Sequence, residues 1–356
     1  MFRICSFIFK LIILSSTFIT PVFSKSLSCP DLSVLDRPHL DFVKDFAAEN
    51  NGVSDQSDAL QRAFICSSKL GRRLYLPAGS YRLKSTVFIE DKMHISGDGA
   101  STALLIESPI GLAIRDGDFA NDVTVKNLTF RYQRRDSSPN DVALKLRSHS
   151  RSIFENLRFF GFNNQIIAEL APNYQGRPAQ NIAFNTYSKW YIHRCRIGVI
   201  YEGLGQQDAI GPISVVSNNT WYDITFRSVK ENAILAKSWV DTEKWYNLFA
   251  QASQDNAIII NLNPAPKWKQ VDRFHFYSPV LVYASDIKRS AKQITGIYLG
   301  KGVNRVFMWG IVSDKKWPSP IYVDKGARSY HLVFGHKGLG HYVGPGVISK
   351  GLEINK

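Results

Sequence analysis

Two segments of this chain align on each other without a gap. Trp221-Tyr222-Asp223-Ile224-Thr225-Phe226 lies over Trp245-Tyr246-Asn247-Leu248-Phe249-Ala250, and Asn232-Ala233-Ile234 then lies over Asn256-Ala257-Ile258, at a period of 24 residues. A looser copy begins at Trp190-Tyr191. Related units run through Val123 to Phe130, Ile153 to Phe159 and Arg305 to Gly310. Self-similarity at a fixed short period marks a repeat architecture. A unit of two or three short strands cannot bury its apolar side alone, so the units must stack into one continuous core. Strand residues then alternate between that core and the outside. The long intervals from Ala171 to Ser188 and from Tyr283 to Gln293 are expected to leave the stack as loops. A β-sandwich would leave the gapless repeat unexplained.

Upstream of the repeats, residues 45–83 read as the cover for one end of such a stack. Ser54 and Asp55 are N-cap residue types, and Asp58 suits a first helical turn. Ala59, Leu60, Ala63 and Phe64 fall on one helical face, and Gly71 stops the helix. Leu74, Leu76 and the Pro77-Ala78-Gly79 turn then open the strands. Asp45, Asp55 and Asp58 are accordingly expected to be structural. The order of these elements resembles the N-terminal signature of the pectate-lyase-like family: Asp45-Phe46-Ala47-Ala48, Asn51-Gly52, Asp55 through Gln61, and Tyr75-Leu76-Pro77-Ala78-Gly79-Ser80-Tyr81. The family has glycine, aspartate and threonine where this chain has Ala47, Asn51 and Ser57. The resemblance covers residues 42–107. It implies an all-β fold, a single-stranded right-handed parallel β-helix solenoid with a short N-terminal capping α-helix.

The N-terminus reads as an export signal over residues 1–24, with Arg3 and Lys10 before an apolar run from Leu11 to Ile19 and a small-residue site at Val22-Phe23-Ser24. One β-helix domain would fill residues 25–356. The expected location is secreted or periplasmic, with no stable membrane insertion, because the apolar run is short. Loss of Arg3 and Lys10 lowers the formal charge from +14 to about +12. A basic exported protein suits an acidic polymer or an anionic surface. Nucleic acid is not expected as a partner, because no basic helical run or nucleic-acid motif is present. Three cysteines remain after the signal. Cys29 and Cys66 are candidates for a disulfide, and Cys195, in a strand pattern, for an inert core thiol. The sequence leaves the oligomeric state open.

The resemblance implies a sugar polymer lying along one sheet, with working residues projecting from that sheet and the turns before it. The repeat alignment puts Glu231 and Asp255 at one position of adjacent coils, and they are the candidate acid and base. Carboxylates about 5–5.5 Å or about 6.5–9.5 Å apart serve retaining or inverting glycosidases, and mutual repulsion would raise one of the two pKa values. Arg227, Lys230, Arg196 and Lys237 are the candidate substrate-binding cations, since guanidinium and ammonium groups pair with uronate carboxylates. The expected activity is cleavage of an acidic, uronate-type polysaccharide by hydrolysis or β-elimination. The alternative is a non-catalytic carbohydrate-binding or adhesion protein. No cofactor is expected. Calcium stays open, although no dense cluster of acidic oxygen ligands is visible. Arg134-Arg135-Asp136 reads as a solvated loop, His193 and His275 as structural, and Asn127 and Asn156 as a stacked amide ladder. Trp190, Trp221 and Trp245 are expected to pack on each other rather than on sugar.

Overall fold

Strands one coil apart pair in parallel throughout the described residues, as Phe154 with Tyr187, Tyr187 with Trp221, Trp221 with Trp245 and Trp245 with Phe276. This computed structural model describes Cys29, Asp31 and residues 37–171, 181–202, 215–237, 239–254, 257–264, 271–283, 295–313, 319–324, 326–334 and 352–354. Each coil contributes four strand segments in turn. In one coil these are Val216–Ser217, Thr220–Tyr222 and the two halves of Thr225–Ala236. The architecture is the expected parallel β-helix.

Two columns of left-handed residues make the corners. One holds Asp122, Arg151, Phe184, Asn218, Thr242, Arg273 and Arg305; the other holds Asn127, Asn156, Lys189, Asp223, Asn247, Ser278 and Gly310. In every coil the two stand five positions apart, which fixes a three-residue strand between two sharp bends. The spacing from coil to coil along the first column is 29, 33, 34, 24, 31 and 32 residues. The 24-residue period is therefore the shortest circuit along this column, and the others in it carry insertions. At the second corner Asn156 donates to the Asn127 amide oxygen at 2.8 Å, and Asn247 to Asp223 at 2.9 Å. The expected amide ladder is present.

The cap is the helix Ser57–Leu70, with Leu60, Ala63 and Phe64 buried and Gly71 left-handed after its end. Gln56, rather than Ser54 or Asp55, stands at its N-cap. Asp55 works beside it, accepting from the Ser57 amide at 3.0 Å and from the Lys84 amide at 3.2 Å. Asp45 accepts from the Asp41 amide at 2.7 Å and from Arg37. Both carboxylates are structural, as expected. Gly79 in the strand-opening turn has φ +146°, and a Cβ there would lie 2.5 Å from Asn50 Cβ. Glycine is needed where the cap approaches the first coil.

Inside, the column Phe154, Tyr187, Trp221, Trp245, Phe276 stacks ring on ring, with centroids 3.9 Å apart for Tyr187–Trp221 and 4.4 Å for Trp221–Trp245. These tryptophans pack in the core, as expected. Trp190 is not in their register. Tyr187 takes its place, and Trp190 packs edge-on against Trp221 at 5.5 Å from the next bend. The interval after Ala171 is likewise shorter as a loop than expected, since Ile182–Ala183 and Thr186–Ser188 are strands. The interval from Tyr283 lies outside the described residues beyond its first position.

Cys29 and Cys66 form a disulfide, and Cys195 is a buried free thiol whose pKa burial pushes up. The bridge ties the N-terminal segment to the cap helix. Cys66→Ser is expected to lower unfolding free energy by roughly 2–4 kcal/mol. An unchanged denaturant midpoint would show that the bridge does not hold the cap.

Candidate functional site

The strand Thr225–Ala236 turns a corner near its middle. Ser228 is left-handed, Val229 and Asn232 are buried, and Lys230 and Glu231 are partly exposed between them. The strand one coil earlier, Tyr191–Tyr201, has the same bend, with left-handed Arg194 followed by Arg196. Pairing of Cys195 with Val229 and Ile197 with Asn232 brings Arg196 beside Lys230 and Glu231. Arg196 Nη1 meets Glu231 Oε2 at 2.9 Å. Its Nη2 donates to the Pro139 carbonyl at 2.7 Å and its Nε to the Asn164 carbonyl at 3.3 Å. Lys230 Nζ donates to Asn164 Oδ1 at 2.5 Å. Three successive coils and the loop before Val142 thus meet at one corner. The Arg196 side chain is 20% exposed and that of Glu231 44%, so the carboxylate faces solvent while its guanidinium partner is held beneath.

The other expected residues divide. Arg227 points out from the sheet before the corner, its guanidinium 4.7 Å from the centre of the Phe249 ring. Lys237 is not part of the cluster. It follows the far end of the strand, six residues or about 20 Å from Glu231, and faces Glu202 at 3.7 Å. Asp255 lies outside the described residues. The gapless alignment holds from Trp221 to Phe226, where Thr225 pairs with Phe249, but Ile234 pairs with Ile260. The offset falls to 23 past the bend at Ser228, where Val229 pairs with Ala252, and then grows to 26, because three more residues separate Ala252 from Ile260 than separate Val229 from Ile234. The group beside Glu231 among the described residues is accordingly Arg196, not a second carboxylate.

Asn164 and the Pro139 carbonyl were not singled out by sequence reasoning. Asn164 stands ten residues after Phe154 as Glu231 stands ten after Trp221, which is the one signal for it. The Arg134 loop is more ordered than a solvated turn. Arg134 bridges Asp136 at 2.9 Å and the buried Asp141 at 3.2 Å, and Asp141 also takes the Tyr132 hydroxyl and the Ser138 amide. Burial and the Asp141 carboxylate push the Tyr132 phenol up. His193 is half-buried against Phe160, and burial lowers His275 together with Lys244 and Arg273. No three His, Cys, Asp or Glu side chains converge as a metal cluster among the described residues. No helix among them is long and apolar enough to cross a membrane.

Comparison with known proteins agrees with this fold. Residues 42–114 match the family described as Rhamnogalacturonase A/epimerase, pectate lyase-like. The pectate-lyase-like resemblance of the N-terminal segment is thereby shown. No curated protein sequence matches. Among solved structures, an Acinetobacter phage tailspike is similar at a TM-score of 0.51 and 10% identity, over 84% of this chain and 52% of that one. The Agl-KA catalytic domain is similar at 0.50 and 16% identity, over 90% and 69%. The Streptococcus pneumoniae surface adhesin PfbA is similar at 0.49 and 13% identity, over 89% and 100%. At such identities the likeness is one of fold.

Proposed function

We propose that the protein cleaves an acidic, uronate-type polysaccharide at the corner formed by Asn164, Arg196, Lys230 and Glu231. The observation that carries this reading is the convergence of two cations and a solvent-facing carboxylate, from adjacent coils, on one corner of a pectate-lyase-like β-helix. Arg196 orients the Glu231 carboxylate, and Lys230 and Arg227 offer positive charge to the uronate groups. Asp255 precedes the strand Ile258–Leu262 much as Glu231 precedes its own strand half, and it supplies the second acid or base. For hydrolysis one of the two protonates the leaving oxygen while the other activates water or attacks. For β-elimination a base removes the proton beside the uronate carboxylate, whose charge the cations neutralise. Lys237 contributes at the opposite edge of the same sheet. Residues 1–24 act as an export signal, and the Cys29–Cys66 disulfide supports folding in an oxidising compartment.

Glu231→Gln is expected to lower the rate of cleavage by about 10²–10⁴-fold without loss of folding, since a half-exposed ion pair contributes only about 0–1 kcal/mol. New reducing ends on polygalacturonate report hydrolysis, and ultraviolet absorbance of an unsaturated product reports elimination. Wild-type rates in Glu231→Gln would remove this residue from the chemistry. Binding with neither signal from the wild-type chain favours the adhesion reading, in which the same corner holds sugar without cutting it.

A further inference from the structure

The sheet that precedes the Glu231 corner has an outer face that the reading above uses only at Arg227. Register places Arg131, Phe160, His193 and Arg227 in one outward column across four coils. The neighbouring column runs Thr129, Arg158, Tyr191, Thr225. Thr129 is turned away, its hydroxyl donating to the Gly99 carbonyl at 3.1 Å. Arg131, Arg158, Arg194 and Arg227 are all exposed. Arg194 stands at the edge of this face, on the left-handed bend.

Neither of these two columns holds a carboxylate in the four coils. None of the four guanidiniums has an acidic partner among the described residues, and Arg227 lies over a ring instead. Other corners of the same solenoid match arginine to acid, as Arg82 with Glu107, Arg151 with Asp122 and Arg305 with Asp272. With one guanidinium on each of four successive coils, about 4.8 Å apart per step, like charges repel one another along the face. A face that keeps them without internal counter-charge is complementary to an anion from outside.

The face also has a place for a ring. A cavity of about 310 Å³ is lined by Arg131, Tyr132, Gln133, Phe160 and Gly161, at the lower end of the range of about 300–1,000 Å³ for ligand pockets. Gly161 has φ +84°, and a Cβ there would stand 2.8 Å from the Tyr132 carbonyl oxygen, so backbone alone forms that wall. Phe160 leans on Tyr191 and His193 at 5.9 and 6.0 Å with ring planes near 45°. Tilted, half-covered rings present C–H edges and partial faces. Those suit the C–H face of a pyranose better than the flat stacking that a nucleobase requires. The charged strip is one strand wide, too narrow for the broad contact of a lipid surface.

We propose that this face docks an anionic polysaccharide along the solenoid axis. Carboxylate or sulfate substituents pair with Arg131, Arg158 and Arg194, a sugar ring rests against Phe160, and the chain leads past Arg227 to the Glu231 corner. The inference rests on the acidic-polysaccharide reading and adds where the polymer is held outside the cleavage corner.

The test is binding of the full chain to immobilised polygalacturonate, dextran sulfate, neutral dextran and oligo-dT, and to phosphatidylserine vesicles. The wild type is expected to bind the two charged polysaccharides in a salt-sensitive way and to ignore dextran. The triple variant R131A/R158A/R194A should lose at least tenfold in affinity. K44A/R62A/K69A, which removes the same charge from the cap region, should stay within about twofold of wild type. The stronger of the two charged polymers identifies the substituent. Wild-type affinity in the face variant, an equal loss in the cap variant, or preference for oligo-dT or vesicles each overturns the proposal. If Glu231→Gln stops cleavage but the face variant binds normally, the corner stands and the face falls. If the face variant loses binding while Glu231→Gln still cleaves, the reverse holds.

Discussion

Glu243→Ala is expected to destabilise the protein by about 3–5 kcal/mol, although its side chain lies far from any surface. The Glu243 carboxylate is fully buried in the solenoid core. It accepts the Asn219 side-chain amide at 2.7 Å, the Asn219 backbone amide at 3.2 Å, the Trp221 indole at 2.9 Å and the Tyr201 hydroxyl at 3.1 Å. Alanine would leave these donors without a partner and open a cavity. Glu243→Gln keeps the shape but turns an NH₂ towards one of these N–H donors, at about 1–3 kcal/mol. Burial raises the Glu243 pKa from 4.5 to about 7, with the Trp221, Asn219 and Tyr201 donors acting the other way. A carboxyl group whose folded pKa lies above its unfolded one stabilises fully below about 4.5, and that contribution is lost as pH rises towards 7. His149, joined to Tyr187 at 2.8 Å, has the opposite sign. Burial lowers it to about 4, so its contribution is lost as pH falls from about 6.5. The diagnostic is therefore the difference between wild type and Glu243→Gln in denaturant unfolding. It should shrink or reverse steadily between pH 4.5 and 7, and a flat difference would show that Glu243 does not titrate there.

Trp221→Ala is expected to cost about 3–5 kcal/mol. The ring is sandwiched between Tyr187 and Trp245, touches Trp190 edge-on and gives its N–H to Glu243. Coils contact only their neighbours, so the loss should be local before it is global. Hydrogen exchange of the amides in Tyr191–Tyr201 and Thr225–Ala236 should speed up more than that of the cap helix. Uniform acceleration along the chain would mean that the coils unfold as one unit. Trp221→Phe, which keeps a stacked ring but loses the donor, should fall between alanine and wild type.

What could be read from the sequence follows from which positions carry a periodic constraint. Leu60, Ala63 and Phe64 showed the cap, because a helix face has a fixed spacing. Trp221 and Trp245 showed the stacked core, because the coil between them is short and free of insertions from one tryptophan to the next. The corner was harder. Its left-handed bends fall on Arg194 and Ser228, residue types that do not announce that conformation, and each bend shifts the register that an alignment would follow. Arg196 and Glu231 could be singled out as charged residues near a strand, but their partners Asn164 and Pro139 come from 32 and 57 positions earlier than Arg196. The inward polar residues were invisible for another reason. Asn185, Asn219 and Glu243 look like turn residues, and only the three-residue strand between two bends turns them into the core.

Those inward residues give the solenoid a direction. The Val123 amide donates to Ser152, the Ser152 amide to Asn185, the Asn185 amide to Asn219 and the Asn219 amide to Glu243, always forward along the chain. Every coil in this run finishes the hydrogen bonding of the coil before it. Removing coils from the C-terminal side would uncover backbone donors one after another. At these four positions, removing the preceding coil would instead uncover a side-chain acceptor, which tolerates incomplete pairing better, although the ladder amides of Ile153, Thr186, Thr220 and Lys244 donate backwards. This inner column has a grain, like wood: in a chain growing from its N-terminus, each of these four amides waits for the following coil to supply its side-chain acceptor.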